Sequence, residues 1–326
     1  MKWSVSRLWL RVGAAVGAVC VTAELQSSCA APAPGRPVTI DAIAVPLNAQ
    51  DPSQTSIGDF HYAGGLVLQG RASDHIHGLS AIDVTDTGRL TAIGDLGIVL
   101  AARLVLDRSE RLVGLTDAHV APLLGEAGEP LINREEADAE GLAVLSSGDR
   151  LVSFERRARI WSYPDLSGRP RPVPFPEVAF PSNGGMEALA ADPENGSDAY
   201  MVGAEISGET WTCRVSTTCV RGPSVDLPAG FGLVAMRRLP GERTAYLLRA
   251  YDQARGTRIS LQIVRAGSLI ARMDMAPPMA VDNYEGLAAV SRADGSARLY
   301  LISDDNASGQ QRTLLMAFDW RPTRPS

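Results

Sequence analysis

Five segments of this 326-residue chain place a larger side chain before a small residue and leucine, and in three of the five that side chain is glutamate. These are Glu140-Gly141-Leu142, Glu187-Ala188-Leu189 and Glu285-Gly286-Leu287, with His77-Gly78-Leu79 and Phe231-Gly232-Leu233 as the other two. Each continues as an apolar run, turns, and returns as a second apolar run that ends in more acid: Asp95, Glu155, Glu205, Asp252 and Asp304-Asp305. Carboxylates brought together raise one another's pKa unless a cation or a basic side chain neutralises them. The economical neutraliser is a hard divalent ion on oxygen ligands, Ca²⁺ before Mg²⁺. Asn183 and Asn283 stand close to two of the glutamates as neutral donors, and Arg134, Arg156 and Arg249 could pair with the acids or grip an anionic substrate. The competing reading is architectural: an acid at a strand start also accepts backbone hydrogen bonds from a neighbouring sheet, and repetition suits that role too. His75 and His77 would share one face of a strand, a spacing used by some metal sites and by many local hydrogen bonds.

Such acids converge only if an architecture brings equivalent strand ends together. The segment Val281 to Asn306 is the best-kept copy, with apolar runs Leu287 to Val290 and Leu299 to Ile302 about a turn at Asp294-Gly295. The small residues of successive copies, Gly78, Gly141, Ala188, Gly232 and Gly286, are 63, 47, 44 and 54 residues apart, the length of a four-stranded propeller blade. The innermost strand of each blade lines a central channel, so the glutamates would face one another at one mouth. The fold expected is an all-β propeller of six blades, the sixth formed by the strands before Gly78 and the run Leu314 to Phe318, which joins the termini and removes open sheet edges. Strands are expected at Val38 to Val45 and Gly64 to Leu68, and the proline-dense segment from Arg169 to Pro181 reads as an extended loop.

The rest of the chain bounds the setting. Residues 1–31 read as an export signal, with Lys2, Arg7 and Arg11 ahead of the apolar stretch Val12 to Ala23 and small residues at Ser27 to Ala31. Cleavage after Ala30 or Ala31 gives a soluble periplasmic or secreted protein. Lipidation at Cys29 would give an outer-membrane lipoprotein, and an uncleaved signal would act as a membrane anchor. Residues 32–59 form a proline-rich tether and a first strand, and residues 60–321 the propeller. Cys213 and Cys219 are the two cysteines outside the signal and read as a short-loop disulfide around Ser216-Thr217-Thr218. Net charge is -6 and Lys2 is the only lysine, so nucleic acid is excluded as a partner and a small-molecule substrate or ligand is expected of a monomer. No Gly-x-Ser-x-Gly elbow, His-Glu-x-x-His pair or phosphate-binding loop occurs.

As a set, Gly78-Leu79-Ser80, Glu140-Gly141-Leu142, Asn183 to Leu189, Leu247-Leu248-Arg249 and Asn283 to Leu287 through Ser303-Asp304-Asp305-Asn306 resemble the bacterial phytase-like family, named for an esterase-like activity of phytase. The resemblance spans roughly residues 60 to 320 and implies an exported propeller that hydrolyses phosphoesters or carboxylesters. The acid-glycine starts and the Ser-Asp-Asp-Asn exit are similar also to lactonase-type propellers, in which glutamate, asparagine and aspartate hold one divalent ion. That similarity implies Glu285 or Glu140, Asn283 and Asp304 as ligands, with Asp305 and Asp95 beside them. The resulting expectation is hydrolysis with Glu187 as base, Glu140 and Arg249 in the catalytic set, and Arg156 and His77 on the substrate. A non-catalytic envelope propeller that binds a ligand or protein partner at the same mouth is the alternative.

Overall fold

The computed structural model describes residues 1, 35–71 and 76–322. The export segment, the start of the tether and His75 lie outside the described residues. Among those described, five antiparallel sheets form a propeller. Successive blades open on the inner strands Leu79–Val84, Ala139–Val144, Ala188–Ala191, Gly232–Leu239 and Asn283–Ser291. Each inner strand packs on the next, and the fifth packs on the first, which closes the ring.

The strands read as unbroken apolar runs because a blade is buried on both faces. Along Leu299-Tyr300-Leu301-Ile302, alternate side chains enter different cores: Leu299 and Leu301 face the fourth blade, and Tyr300 and Ile302 face the first. Five such cores fill the five wedges between neighbouring blades.

The expected count of six is therefore corrected to five. The C-terminal run does pair with the N-terminal segment, Thr313–Trp320 against Phe60–Gly70, so the termini close the ring as expected. They do so inside the fifth blade, whose C-terminal part supplies only three strands, rather than as a sheet of their own. Ile40–Ala44 then covers Phe60–Gly70 as the outermost strand. The proline-dense segment is also not all loop: Arg171–Val173 pairs with Ile160 to Ser162 as the outer strand of the second blade. An outer edge tolerates Pro172 because one side of the strand needs no ladder donor. Cys213 and Cys219 face each other across an outer hairpin of the third blade and form the expected disulfide.

Candidate active site at the channel mouth

Four of the inner strands carry a β-bulge at the same height. The register slips between Leu79 and Ala81, between Ala139 and Gly141 opposite Ser153 and Phe154, between Leu233 and Ala235, and between Tyr284 and Gly286. The extra residues are Ser80, Glu140, Val234 and Glu285, and Glu187 takes the matching place just before Ala188–Ala191. A bulge re-aims one side chain without changing the strands on either side. Here Glu140, Glu187, Glu285 and Ser80 line one cavity of about 240 Å³.

The small residue that follows each of the four bulges, Ala81, Gly141, Ala235 or Gly286, and Ala188 at the matching place sit where inner strands crowd together. A Cβ on Gly141 would lie 2.6 Å from Leu189 Cβ, and one on Gly286 would lie 3.1 Å from the Ser80 carbonyl oxygen and 2.5 Å from Ile302 Cγ2. Packing thus requires glycine at 141 and 286. The same register corrects the sequence alignment of two copies: His77 and Phe231 do not belong to the glutamate ring, whose members there are Ser80 and Val234. Ser80 precedes Gly88 by the same eight residues that separate Glu140 from Gly148, but the interval is seven from Val234 to Gly241 and ten from Glu285 to Gly295, so distance from the turn does not set the register.

The second ring is Asp95, Glu155, Glu205, Arg249 and Asp304. Asp304 pairs in register with Asn283 and Arg249 with Gly232, while the backbone N–H groups of Asp95 and Glu155 donate to Gly78 and Asp138. Asp252, expected in this ring, is instead held by Arg255 and Arg258 at the end of its strand. Its place is taken by the guanidinium of Arg249, which donates to Glu285 and, at 3.2 Å, to Glu205. Asn283 Nδ2 also donates to Glu285 at 2.8 Å. Asp138, which the sequence reading missed, is the register counterpart of Asn283, and the shared pattern Asp138-x-Glu140 and Asn283-x-Glu285 was its available signal.

In all, eight carboxyl groups and three guanidinium groups, those of Arg134, Arg156 and Arg249, line the cavity. Arg156 pairs with Asp138 at 2.7 Å, and Arg134 reaches Asp95 at 3.4 Å. Burial, reinforced by Glu187 and Glu285, pushes the Glu140 carboxyl well above the usual carboxylate range. Burial and Glu205 do the same to Glu187, against the opposing pull of Arg249. Burial and Glu285 push Asp304 up to about 8, and burial pushes Asp95 up to about 6 despite Arg134. Glu285 is raised by burial and partly restrained by Arg249 and Asn283. Neither Glu140 nor Glu187 has a hydrogen-bond or ion-pair partner among the described residues, although both are more than nine-tenths buried.

Two expected site residues are placed elsewhere. Asp305 accepts from Gly78 N at 3.2 Å, Ala307 N at 3.0 Å, Thr313 Oγ1 at 3.0 Å and pairs with His77 Nδ1 at 2.8 Å. Burial works against its ionisation, but these donors prevail and hold its pKa below the ordinary value. Neither Asp305 nor His77 lines the cavity, and together they latch the last blade to the first.

A hard cation has a suitable donor set here. Oxygen atoms of Asp138, Glu140 and Glu155 lie within 4.8 Å of one another, and Asp95 Oδ1 is buried with no hydrogen-bond partner. Below the glutamates the channel narrows to an apolar floor that includes Leu142, Leu189 and Leu287. Beneath it Arg237 of the fourth blade donates to Asp83 of the first, across the channel.

Fold and site define a β-propeller with an acid-lined channel mouth. The chain belongs to the phytase-like family, described as having the esterase-like activity of phytase, which matches residues 74–307. No curated protein matches it. Among solved structures it is similar to a streptogramin B lyase, at 11% identity over 89% of both chains and a TM-score of 0.40. It is similar also to virginiamycin B lyase from Staphylococcus aureus, at 10% identity over 88% of this chain and 90% of that one, with a TM-score of 0.37. A protein of unknown function from Bacteroides caccae matches at 11% identity over 86% of this chain and 99% of that one, with a TM-score of 0.38. No chemistry follows from likeness at this level.

Proposed function

We propose that the protein hydrolyses ester or phosphoester bonds at the channel mouth with the help of a divalent cation, Ca²⁺ first, in an extracytoplasmic compartment. The observation that carries this reading is the excess of carboxyls over guanidiniums around one small cavity, with Asp138, Glu140 and Glu155 close enough to share an ion. These three replace Asn283, Glu285 and Asp304 as the proposed ligand set because their oxygens lie within 4.8 Å of one another. A bound Ca²⁺ or Mg²⁺ would supply Lewis-acid polarisation of the substrate oxygen and offset the carboxylate charge.

The chain's own residues divide the remaining work. Glu187, unpartnered, would be ionised once a bound cation offsets the surrounding carboxylate charge, and in that form takes the proton of the attacking water at a carboxylate oxygen. The C–O or P–O bond to the leaving oxygen breaks, and that oxygen is reprotonated from solvent. Arg156 and Arg134, with side chains 36% and 60% exposed, can turn toward a substrate oxyanion, whereas Arg249 holds Glu285 and Glu205 in place. The disulfide supports an oxidising, exported setting. The test is turnover of p-nitrophenyl phosphate and p-nitrophenyl acetate by purified protein, with and without chelator. Hydrolysis that chelation abolishes and Ca²⁺ restores is expected, and no chelator-sensitive turnover of either ester would overturn the proposal.

A further inference from the structure

The acidic cup holds only the reacting group, and a much larger groove opens directly from it. That groove, about 1190 Å³, runs beside the fourth and fifth blades and shares Glu205, Arg249, Asn283 and Asn306 with the cup. It exceeds the roughly 300–1,000 Å³ of ordinary small-molecule pockets. A substrate that reacts in the cup therefore has room to keep most of its mass in the groove.

The lining says what that mass is. Tyr251, 71% exposed, Ile206, 65% exposed, and the partly buried Phe231 give it an apolar wall. The groove is lined also by uncharged donors and acceptors: the amides of Gln310, Gln311 and Asn306 and the hydroxyl of Ser308. The charged groups of the groove are already matched, Arg312 with Asp282 at 3.1 Å and Arg249 with Glu205 and Glu285. An anionic or cationic group would have to break one of these pairs. A neutral polyhydroxylated group would not: its C–H face lies on an exposed aromatic ring, and its hydroxyls meet side-chain amides that both donate and accept.

The polar wall is also tied to the cup. Asn306 and Ala307 have φ of 50° and 48°, a left-handed conformation that L-residues avoid. Their N–H groups are held by Asp304 Oδ1 at 2.6 Å and Asp305 Oδ1 at 3.0 Å. The loop that presents Ser308, Gln310 and Gln311 is thereby built onto Asp304 of the mouth and the neighbouring latch residue Asp305, as strained segments at functional sites often are.

We infer that the groove binds a neutral sugar unit or short oligosaccharide, so that the substrate is a glycosyl ester or sugar phosphoester. The inference rests on the hydrolase reading for the reaction but not for the binding. The test is calorimetry and saturation-transfer NMR of the purified chain, in chelator, against maltotriose, cellotriose, xylotriose and chitotriose. At least one is expected to bind, Tyr251→Ala to weaken it about tenfold, and Tyr251→Phe, which keeps the stacking ring, to stay within about threefold of wild type. Gln310→Ala gives a second expected loss from the polar wall, with thermal unfolding of each variant as the folding control. No binding of any of the four sugars, or binding that Tyr251→Ala and Gln310→Ala both leave unchanged, would overturn the inference. Sugar binding without ester turnover would leave the groove assigned and sink the hydrolase, and chelator-sensitive turnover without sugar binding would do the reverse.

Discussion

The eight carboxyls of the mouth are not equivalent, and their partners sort them. Glu285 answers to Arg249 and Asn283, Asp138 to Arg156, and Glu155 to the backbone N–H groups of Gly184 and Gly185, which leaves Glu140 and Glu187 without partners. Replacing Glu187 by glutamine keeps shape and removes the proposed base. Turnover should fall by about 10²–10⁴-fold while the unfolding temperature holds or rises, measured by steady-state kinetics beside thermal unfolding. The raised carboxyls also set how stability follows pH. Asp304 and Asp95 keep their protons in the folded state to about 8 and about 6, whereas the unfolded chain releases them near the ordinary aspartate value. Between those limits the folded state binds more protons, so stability falls as pH rises. Thermal midpoints in chelator should therefore drop from pH 5 to pH 8, and Ca²⁺ should recover more at pH 8 than at pH 5. Midpoints that rise across that range would contradict the buried acidic cluster. Glutamate, asparagine and aspartate were legible in the sequence as a convergent set because they repeat. What was not legible was occupancy: Asp305 looks like a ligand in Ser-Asp-Asp-Asn, and only the fold shows its oxygens accepting from four donors.

At the scale of the strand, the acid-glycine pair separates into chemistry and packing. Gly286→Ala puts a methyl against Ile302 and the inner strand of the first blade, and should destabilise by about 1–3 kcal/mol in denaturant unfolding. Glu285→Gln should cost less, since Asn283 still reaches it. The ion pair below the floor gives a sharper contrast. Arg237→Ala leaves Asp83 buried and unpaired, a change expected to cost about 3–5 kcal/mol, and Asp83→Asn in the same chain should return part of that loss. The hairpins and their spacing could be read directly, because apolar runs broken by Asp-Gly and Ser-Gly turns are local signals. The bulges could not, because Gly-Leu falls before the bulge in the first and fourth copies and after it in the second and fifth. Matching Gly-Leu to Gly-Leu moved His77 and Phe231 into a ring that belongs to Ser80 and Val234.

Over the whole molecule, five wedges filled by five cores leave no place for a sixth blade. Five repeats were visible in the sequence. The sixth was inferred from strands left over at the two ends, which the fold uses to finish the fifth blade. Closure by Phe60–Gly70 predicts that a chain beginning after Gly70 exposes the edge of Thr313–Trp320 and aggregates, a result read by size-exclusion chromatography. Closure also draws the acids into one ring, and the proposed ion would sit where fold and chemistry meet. A crystal structure of the protein grown with Ca²⁺ tests this most directly. The account predicts an ion at the mouth, with oxygens of Asp138, Glu140 and Glu155 at about 2.3–2.6 Å and an open coordination position toward the groove. A mouth that holds only water at saturating Ca²⁺, with its carboxyls paired by protons alone, would contradict it.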